Sequence, residues 1–351
     1  MKKFLVLGGF LLDNYVPRSL VTHCHSNVTI NVGNKGSNLH PYSQVYFFFE
    51  QTMLQVPGFS QHSLNTSLGK MIYYTADRTP WLREEVSNKP LPTLVFLHGF
   101  GGGSSAYEWS KVYPAFASEY RILAPDLIGW GSSCHLDRDY LIDDYLTSIT
   151  EFLEKSCDEP VTVIASSLTA AFTIRVAISR PELFKSLILT TPAGLSDFGE
   201  NYTRSFFAQL VSTPIIDRLI YDFGVANELG IRNFLEQRQF ARPERVYFEI
   251  VAAYLESAQQ TNAEYSSLSF VRGDLCFDLS QFIEQLTIPT AIIWGQKSQF
   301  TGPEIGKRLA EMNPTAIKAF QVIEEVGLTP QLELPAVTIG LIRRFLSKEL
   351  A

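Results

Sequence analysis

The chain has few histidines, few cysteines and no excess of positive charge. Each of these features argues against a particular class of function. Six histidines occur in 351 residues, and none follows His135. The formal net charge is −7 at pH 7, so a nucleic-acid groove built from clustered Lys and Arg is not expected. The sequence instead favours a small lipophilic ligand or a protein as the partner.

The cysteines and the apolar runs exclude two further classes of protein. The four cysteines are scattered along the chain, which indicates free thiols in a reducing compartment rather than a disulfide framework: Cys24, Cys134, Cys157 and Cys276. The N-terminal apolar run Phe4–Leu12 is too short to cross a bilayer. No small-x-small cleavage site follows it in Asp13–Ser26, so we predict neither an integral membrane span nor a secretory signal.

Residues 1–52 differ in composition from the rest of the chain. They lack a periodic apolar face that could dock on a sheet, so we expect a peripheral segment, and translation that starts at Met53 is one explanation. His23, Cys24 and His25 resemble metal ligands, but adjacent residues point in different directions and no second ligand pair follows at finger spacing. We therefore predict no metal and no cofactor.

The stretch around Ser167 predicts a sharp strand-to-helix turn. Val161–Ile164 is a continuous apolar or β-branched run typical of a buried strand, and Leu168–Ile178 has helical spacing. A strained turn of this kind can lift one serine above a sheet. The sequence Ala165-Ser166-Ser167-Leu168-Thr169 resembles the nucleophile elbow of the α/β-hydrolase family of the AB hydrolase-1 type, with Ser167 as the elbow serine. Thr169 departs from the small residue that is usual at the last position.

Two loops extend the resemblance. The strand Thr93–Leu97 leads into His98-Gly99-Phe100-Gly101-Gly102-Gly103, and the next strand leads into Pro125–Ser133. The resemblance implies that the backbone N–H groups of Phe100 and Leu168 form the oxyanion hole, and that His98 holds its loop. The second loop is similar to those of cyanobacterial and plastid members. We expect Asp126 to brace this loop through backbone hydrogen bonds rather than to take part in the chemistry. For the first loop, His98–Gly103, a plain glycine-rich loop before a helix is the alternative interpretation. A phosphate-binding P-loop is excluded because the sequence Gly-Lys-Ser/Thr is missing.

The order of predicted elements indicates an α/β fold: a doubly wound, mostly parallel sheet with an inserted helical lid. We predict core segments at residues 53–194 and 278–351, with the lid at residues 195–277, and a helix over Tyr107–Ser118. Aromatic residues in the lid either wall a pocket for a lipophilic ligand or fill a core of their own, and periodicity does not distinguish these. The reducing setting predicts a cytoplasmic protein, or a stromal one if the chain is of plastid origin.

The supporting groups of a serine nucleophile are missing at the expected places. A serine hydroxyl needs a general base, usually histidine, oriented by a carboxylate. The resemblance places that histidine at Leu328 and the acid at Ser298, so the triad is degenerate. His135 is a possible relocated base, and Asp197 a possible relocated acid. The sequence therefore favours a non-catalytic, ligand-binding or scaffolding pseudo-hydrolase, with an ester hydrolase or acyltransferase acting through Ser167 as the alternative.

Overall fold

The computed structural model describes residues 56–81, 91–199, 221 and 224–350, which all belong to one unit, Phe47–Ala351. The expectations for residues 1–52 and for helices near residues 206–220 lie outside these ranges. The described part is built on one sheet of eight strands: β1 Phe59–Thr66, β2 Gly69–Ala76, β3 Thr93–Leu97, β4 Arg121–Pro125, β5 Val161–Ser166, β6 Phe184–Thr190, β7 Thr290–Gly295 and β8 Ile317–Ile323.

The strands lie in the order β1-β2-β4-β3-β5-β6-β7-β8. Neighbours from β4 to β8 pair in parallel, whereas β2 is antiparallel to both β1 and β4. The strand β5 lies in the interior of the sheet with all six residues buried, as its continuous apolar run predicts. The predicted α/β fold with a mostly parallel sheet is confirmed.

Helices cover both faces of the sheet. The described α-helices of at least seven residues are α1 Ile142–Ser156, α2 Ser167–Ser179, α3 Glu228–Phe234, α4 Phe248–Ala258, α5 Ala263–Arg272, α6 Pro303–Met312 and α7 Pro335–Arg344. Two buried clusters lie against the sheet, one containing Leu168 and Phe172 of α2, and one containing Ile342 of α7. The elbow strand β5 contributes to both, because its side chains alternate between the two faces.

One local expectation is wrong, and one strand was not predicted. Tyr107–Ser118 is not one helix but two short 3₁₀ turns, Ala106–Trp109 and Tyr113–Phe116. Pro114 has no N–H for an α-helical bond, and the indole of Trp109 donates a hydrogen bond to the Leu97 carbonyl. The strand β1 was not predicted, because residues Ser60–Ser63 are polar and lack the alternation that marks a half-buried strand.

Residues 195–277, hereafter the inserted segment, connect β6 to β7 and include α3, α4 and α5. Its ends meet, since Leu195 and Phe277 form an isolated parallel β-bridge. Apolar side chains of α3 and α4 pack into a cluster that also contains Leu332 of the core. This packing fits the interpretation in which many of the segment's apolar residues fill a core of their own.

Candidate active site

Ser167 lies at the junction of β5 and α2. Its φ is 56°, whereas Ser166 still has the extended φ of −118°. A non-glycine residue in the left-handed region is strained, and such strain recurs at functional turns. The Ser167 side chain is buried. The turn thus holds a buried serine hydroxyl that forms no hydrogen bond among the described residues.

The loop after β3 passes directly over this turn. A Cβ added to Gly99 would lie 3.3 Å from Ser167 Cβ and 3.4 Å from the Glu108 carboxylate, so the close approach favours glycine. Within the described chain, the N–H groups of Phe100 and Leu168 donate to no oxygen. Leu168 is in the first turn of α2, where N–H groups have no partner within the helix. Leu168 follows Ser167 and Phe100 follows Gly99, so two backbone donors without an acceptor in the described chain lie close to the elbow.

His98 and Asp126 are committed to the loops. His98 Nε2 accepts a hydrogen bond from the Leu127 N–H at 3.0 Å, and its Nδ1 lies 2.7 Å from the Gly99 carbonyl. This pairing requires a neutral ring protonated at Nδ1, and burial lowers the pKa of His98 to about 4. Asp126 accepts from the N–H groups of Ala106 and Ser132 at 2.7 and 2.8 Å. Neither ring nitrogen of His98 is free to deprotonate Ser167.

The turns after β7 and β8 meet, as a serine, acid and histidine set would require. A Cβ on Gly295 would overlap the carbonyl oxygen of Gly327, and the Lys297 N–H donates to the Val326 carbonyl at 2.8 Å. Ser298 and Leu328, which the family resemblance assigns to the acid and histidine positions, lie on these two turns. The Ser298 hydroxyl is buried without a described partner, and the Leu328 side chain is almost wholly buried. The two turns are therefore in contact, and neither Ser298 nor Leu328 carries a carboxylate or an imidazole.

The relocated candidates also have other partners. His135 Nε2 lies 3.1 Å from the Gly131 carbonyl, which assigns the ring proton to Nε2. Burial lowers the pKa of His135, its Nδ1 is buried without a described partner, and no hydrogen bond in the described chain joins the ring to Ser167. Asp197 accepts hydrogen bonds from the Gly194 and Leu279 N–H groups, and burial raises its pKa to about 6. Asp197 holds the ends of the inserted segment.

A buried polar network that the sequence did not predict lies beside the elbow. Glu108 accepts from the Gly99 N–H at 2.9 Å and from the Tyr254 hydroxyl of α4 at 3.0 Å. Gln331 donates to Ser166 Oγ at 3.1 Å and approaches Glu108 at 3.5 Å. Burial raises the pKa of Glu108. Glu108 and Tyr254 are 146 positions apart in the chain, so no local motif marked them.

The described residues contain no group of three or more His, Cys, Asp or Glu placed to hold a metal ion. In the same ranges, no helix has both the length and the apolar character needed to cross a bilayer.

Comparisons with known proteins agree with this architecture. A family model described as alpha/beta hydrolase fold matches residues 92–333. The chain is 25% identical to Lipase 3 of Moraxella sp. (strain TA144) over 269 residues, which covers 75% of this chain and 77% of the lipase. It is 24% identical to Karrikin insensitive 2 receptor IA of Petunia hybrida over 262 residues, covering 74% of this chain and 91% of the receptor.

Solved structures show the same fold. The crystal structure of carboxylesterase CesB from Bacillus subtilis superposes with a TM-score of 0.63 at 14% identity, covering 87% of this chain and 97% of that protein. At this identity the likeness concerns the fold alone. Because the family match covers more than half of the sequence, and because sheet order and elbow agree with it, this chain belongs to the α/β-hydrolase fold family.

Proposed function

We propose that this α/β-hydrolase-fold protein is not a serine hydrolase, and that it acts by binding a small lipophilic molecule or a protein partner. The observation that carries the proposal is the position of Leu328. Hydrogen bonds hold its turn, since Gly327 N–H donates to Glu333 and Leu328 N–H donates to the Gln239 carbonyl. A leucine side chain at this position offers no proton acceptor.

The nearby titratable groups support the same proposal because their hydrogen bonds are used elsewhere. His98 holds two backbone groups, and Glu108 accepts hydrogen bonds on both carboxylate oxygens. A positioned general base contributes about 10²–10⁴ in rate, and a site without its triad retains roughly 10³–10⁴ over water. The free N–H groups of Phe100 and Leu168 thus permit slow, serine-independent turnover of an activated ester.

The family contains proteins whose names indicate hydrolysis and others whose names indicate a receptor. Lipase 3 belongs to the first group, and the karrikin insensitive 2 receptor belongs to the second. Binding is therefore a role that the fold can serve. The competing function is an ester hydrolase or acyltransferase that uses Ser167 with His135 as a relocated base. The cytoplasm, or the plastid stroma, remains the expected compartment.

Hydrolysis of p-nitrophenyl acetate separates the two functions. We expect Ser167→Ala to change kcat/KM by less than about twofold, with Ser179→Ala on the exposed end of α2 as a matched control. The double variant Leu328→His with Ser298→Asp should gain activity that Ser167→Ala removes, because both turns are already in place. A hundredfold loss in Ser167→Ala of the unmodified protein would instead establish a hidden base, and His135→Asn would then be tested first.

A further inference from the structure

A cavity of about 870 Å³ lies beside helix α4. Its walls come from the β1–β2 hairpin, the two 3₁₀ turns, the loop after β4, and α4 of the inserted segment. Ser167, Phe100, Leu168, Ser298 and Leu328 are not among its lining residues. The volume falls within the range of pockets that hold small molecules, roughly 300–1,000 Å³.

The lining has one sign of charge. It includes four carboxylates, which are those of Asp126, Glu228, Glu249 and Glu256. The described lining contains no Lys, Arg or His. Two of the four have cationic partners outside the cavity, since Glu249 pairs with Lys111 at 2.8 Å and Glu228 approaches Arg232 at 3.6 Å. Asp126 and Glu256 form no ion pair within the described chain. The cavity therefore has two carboxylates without an ion-pair partner: the exposed Glu256, and the buried Asp126, which accepts hydrogen bonds from the Ala106 and Ser132 N–H groups.

Aromatic rings surround these carboxylates. Five line the cavity: Phe59, Tyr74, Tyr107, Tyr113 and Phe248. Tyr113 is buried and packs on Phe59 with 4.7 Å between ring centroids, and the Tyr74 hydroxyl lies 3.4 Å from Asp126. The Tyr107 hydroxyl is buried without a described partner. Aromatic faces attract cations through their ring quadrupoles, and aromatic cages recognise ammonium groups in this way.

We propose that this cavity binds a small organic ammonium ion whose apolar body packs on the tyrosine rings while its charge faces Asp126 and Glu256. The electrostatics agree with this occupant. Burial, and to a smaller extent the charge of Glu256, raises the pKa of Asp126 to about 6, so its ionised form is disfavoured and a nearby cation would stabilise it. Glu256 is exposed at the rim, where it attracts cations from solvent. The proposal does not depend on whether Ser167 hydrolyses esters.

Isothermal titration of the full chain with 2-phenylethylammonium, its N,N,N-trimethyl derivative and neutral 2-phenylethanol tests the site. Both cations should bind at least tenfold more tightly than the alcohol. Glu256→Gln should weaken cation binding about threefold or more, whereas Glu284→Gln, which removes an exposed charge outside the cavity, should leave it unchanged. Tyr107→Leu should weaken both cations.

Two results would overturn the proposal. One is equal affinity for the cations and the alcohol, which would mean that charge plays no part. The other is tight cation binding that Glu256→Gln leaves unchanged, which would place the site elsewhere. Glu256 is exposed and unpaired in the described chain, so its replacement should not impair folding even if Tyr107→Leu does.

Discussion

At the scale of single residues, Ser167 has the most unusual backbone of the site. Left-handed geometry costs a non-glycine residue roughly 1–2 kcal/mol, and glycine adopts it without steric penalty. If Ser167 takes no part in catalysis, replacing it with glycine relieves backbone strain without loss of function. We therefore expect Ser167→Gly to stabilise the protein by about 0.5–1 kcal/mol in urea unfolding. Ser179→Gly, at an exposed helical position with negative φ, should destabilise it by a similar amount. Destabilisation by Ser167→Gly would contradict the strain assigned to this turn.

His98 gives a second prediction at this scale. Its folded pKa of about 4 lies below the ordinary value of 6.5, because burial disfavours the charged ring. Its contribution to stability is therefore complete above pH 6.5 and is lost as the pH falls towards 4. In an NMR titration from pH 8 to pH 5, the His98 ring carbons should keep the shifts of the neutral Nδ1–H tautomer. A midpoint near 6.5 would mean that Nε2 does not accept from Leu127.

At the scale of elements, helix α4 is fixed to the core by Tyr254. Its hydroxyl donates to Glu108 and accepts from Gln239 at 2.7 Å, so one side chain joins the inserted segment to the loop over the elbow. A Cβ on Gly103 would overlap the Tyr254 carbonyl oxygen, so the backbones are also in close contact. We propose that this network fixes α4 of the inserted segment against the loop that contacts Ser167.

Tyr254→Phe tests this interpretation. Removing the hydroxyl leaves the buried Glu108 carboxylate with one donor fewer, which should lower the free energy of unfolding by about 1–3 kcal/mol. Tyr247→Phe is the control, because Tyr247 is exposed on the residue just before α4. Hydrogen exchange should quicken in α4 for Tyr254→Phe alone. Equal stability of the two variants would show that the bond to Glu108 does not hold the helix.

At the scale of the whole molecule, the sequence predicts the sheet better than the site. Buried parallel strands such as Val161–Ser166 are continuous apolar runs, so their pattern is visible. The strand β1 was not predicted because its exposed residues are polar. The helix predicted over Tyr107–Ser118 was wrong because tertiary bonds outweigh helical spacing. The positions of Ser167, Ser298 and Leu328 follow from family resemblance. The network of Glu108, Tyr254 and Gln331 does not follow from the resemblance, since it depends on side chains that only the fold brings together.

The protein has an α/β-hydrolase fold with a strand-to-helix elbow at Ser167. We propose that Ser167 lacks a general base. Fluorophosphonate labelling of the unmodified protein, followed by intact mass and by mapping of the modified peptide, measures this directly. We predict that Ser167 remains unlabelled over a period in which an active lipase reacts completely. Rapid, stoichiometric labelling of Ser167, abolished by Ser167→Ala, would contradict the proposal.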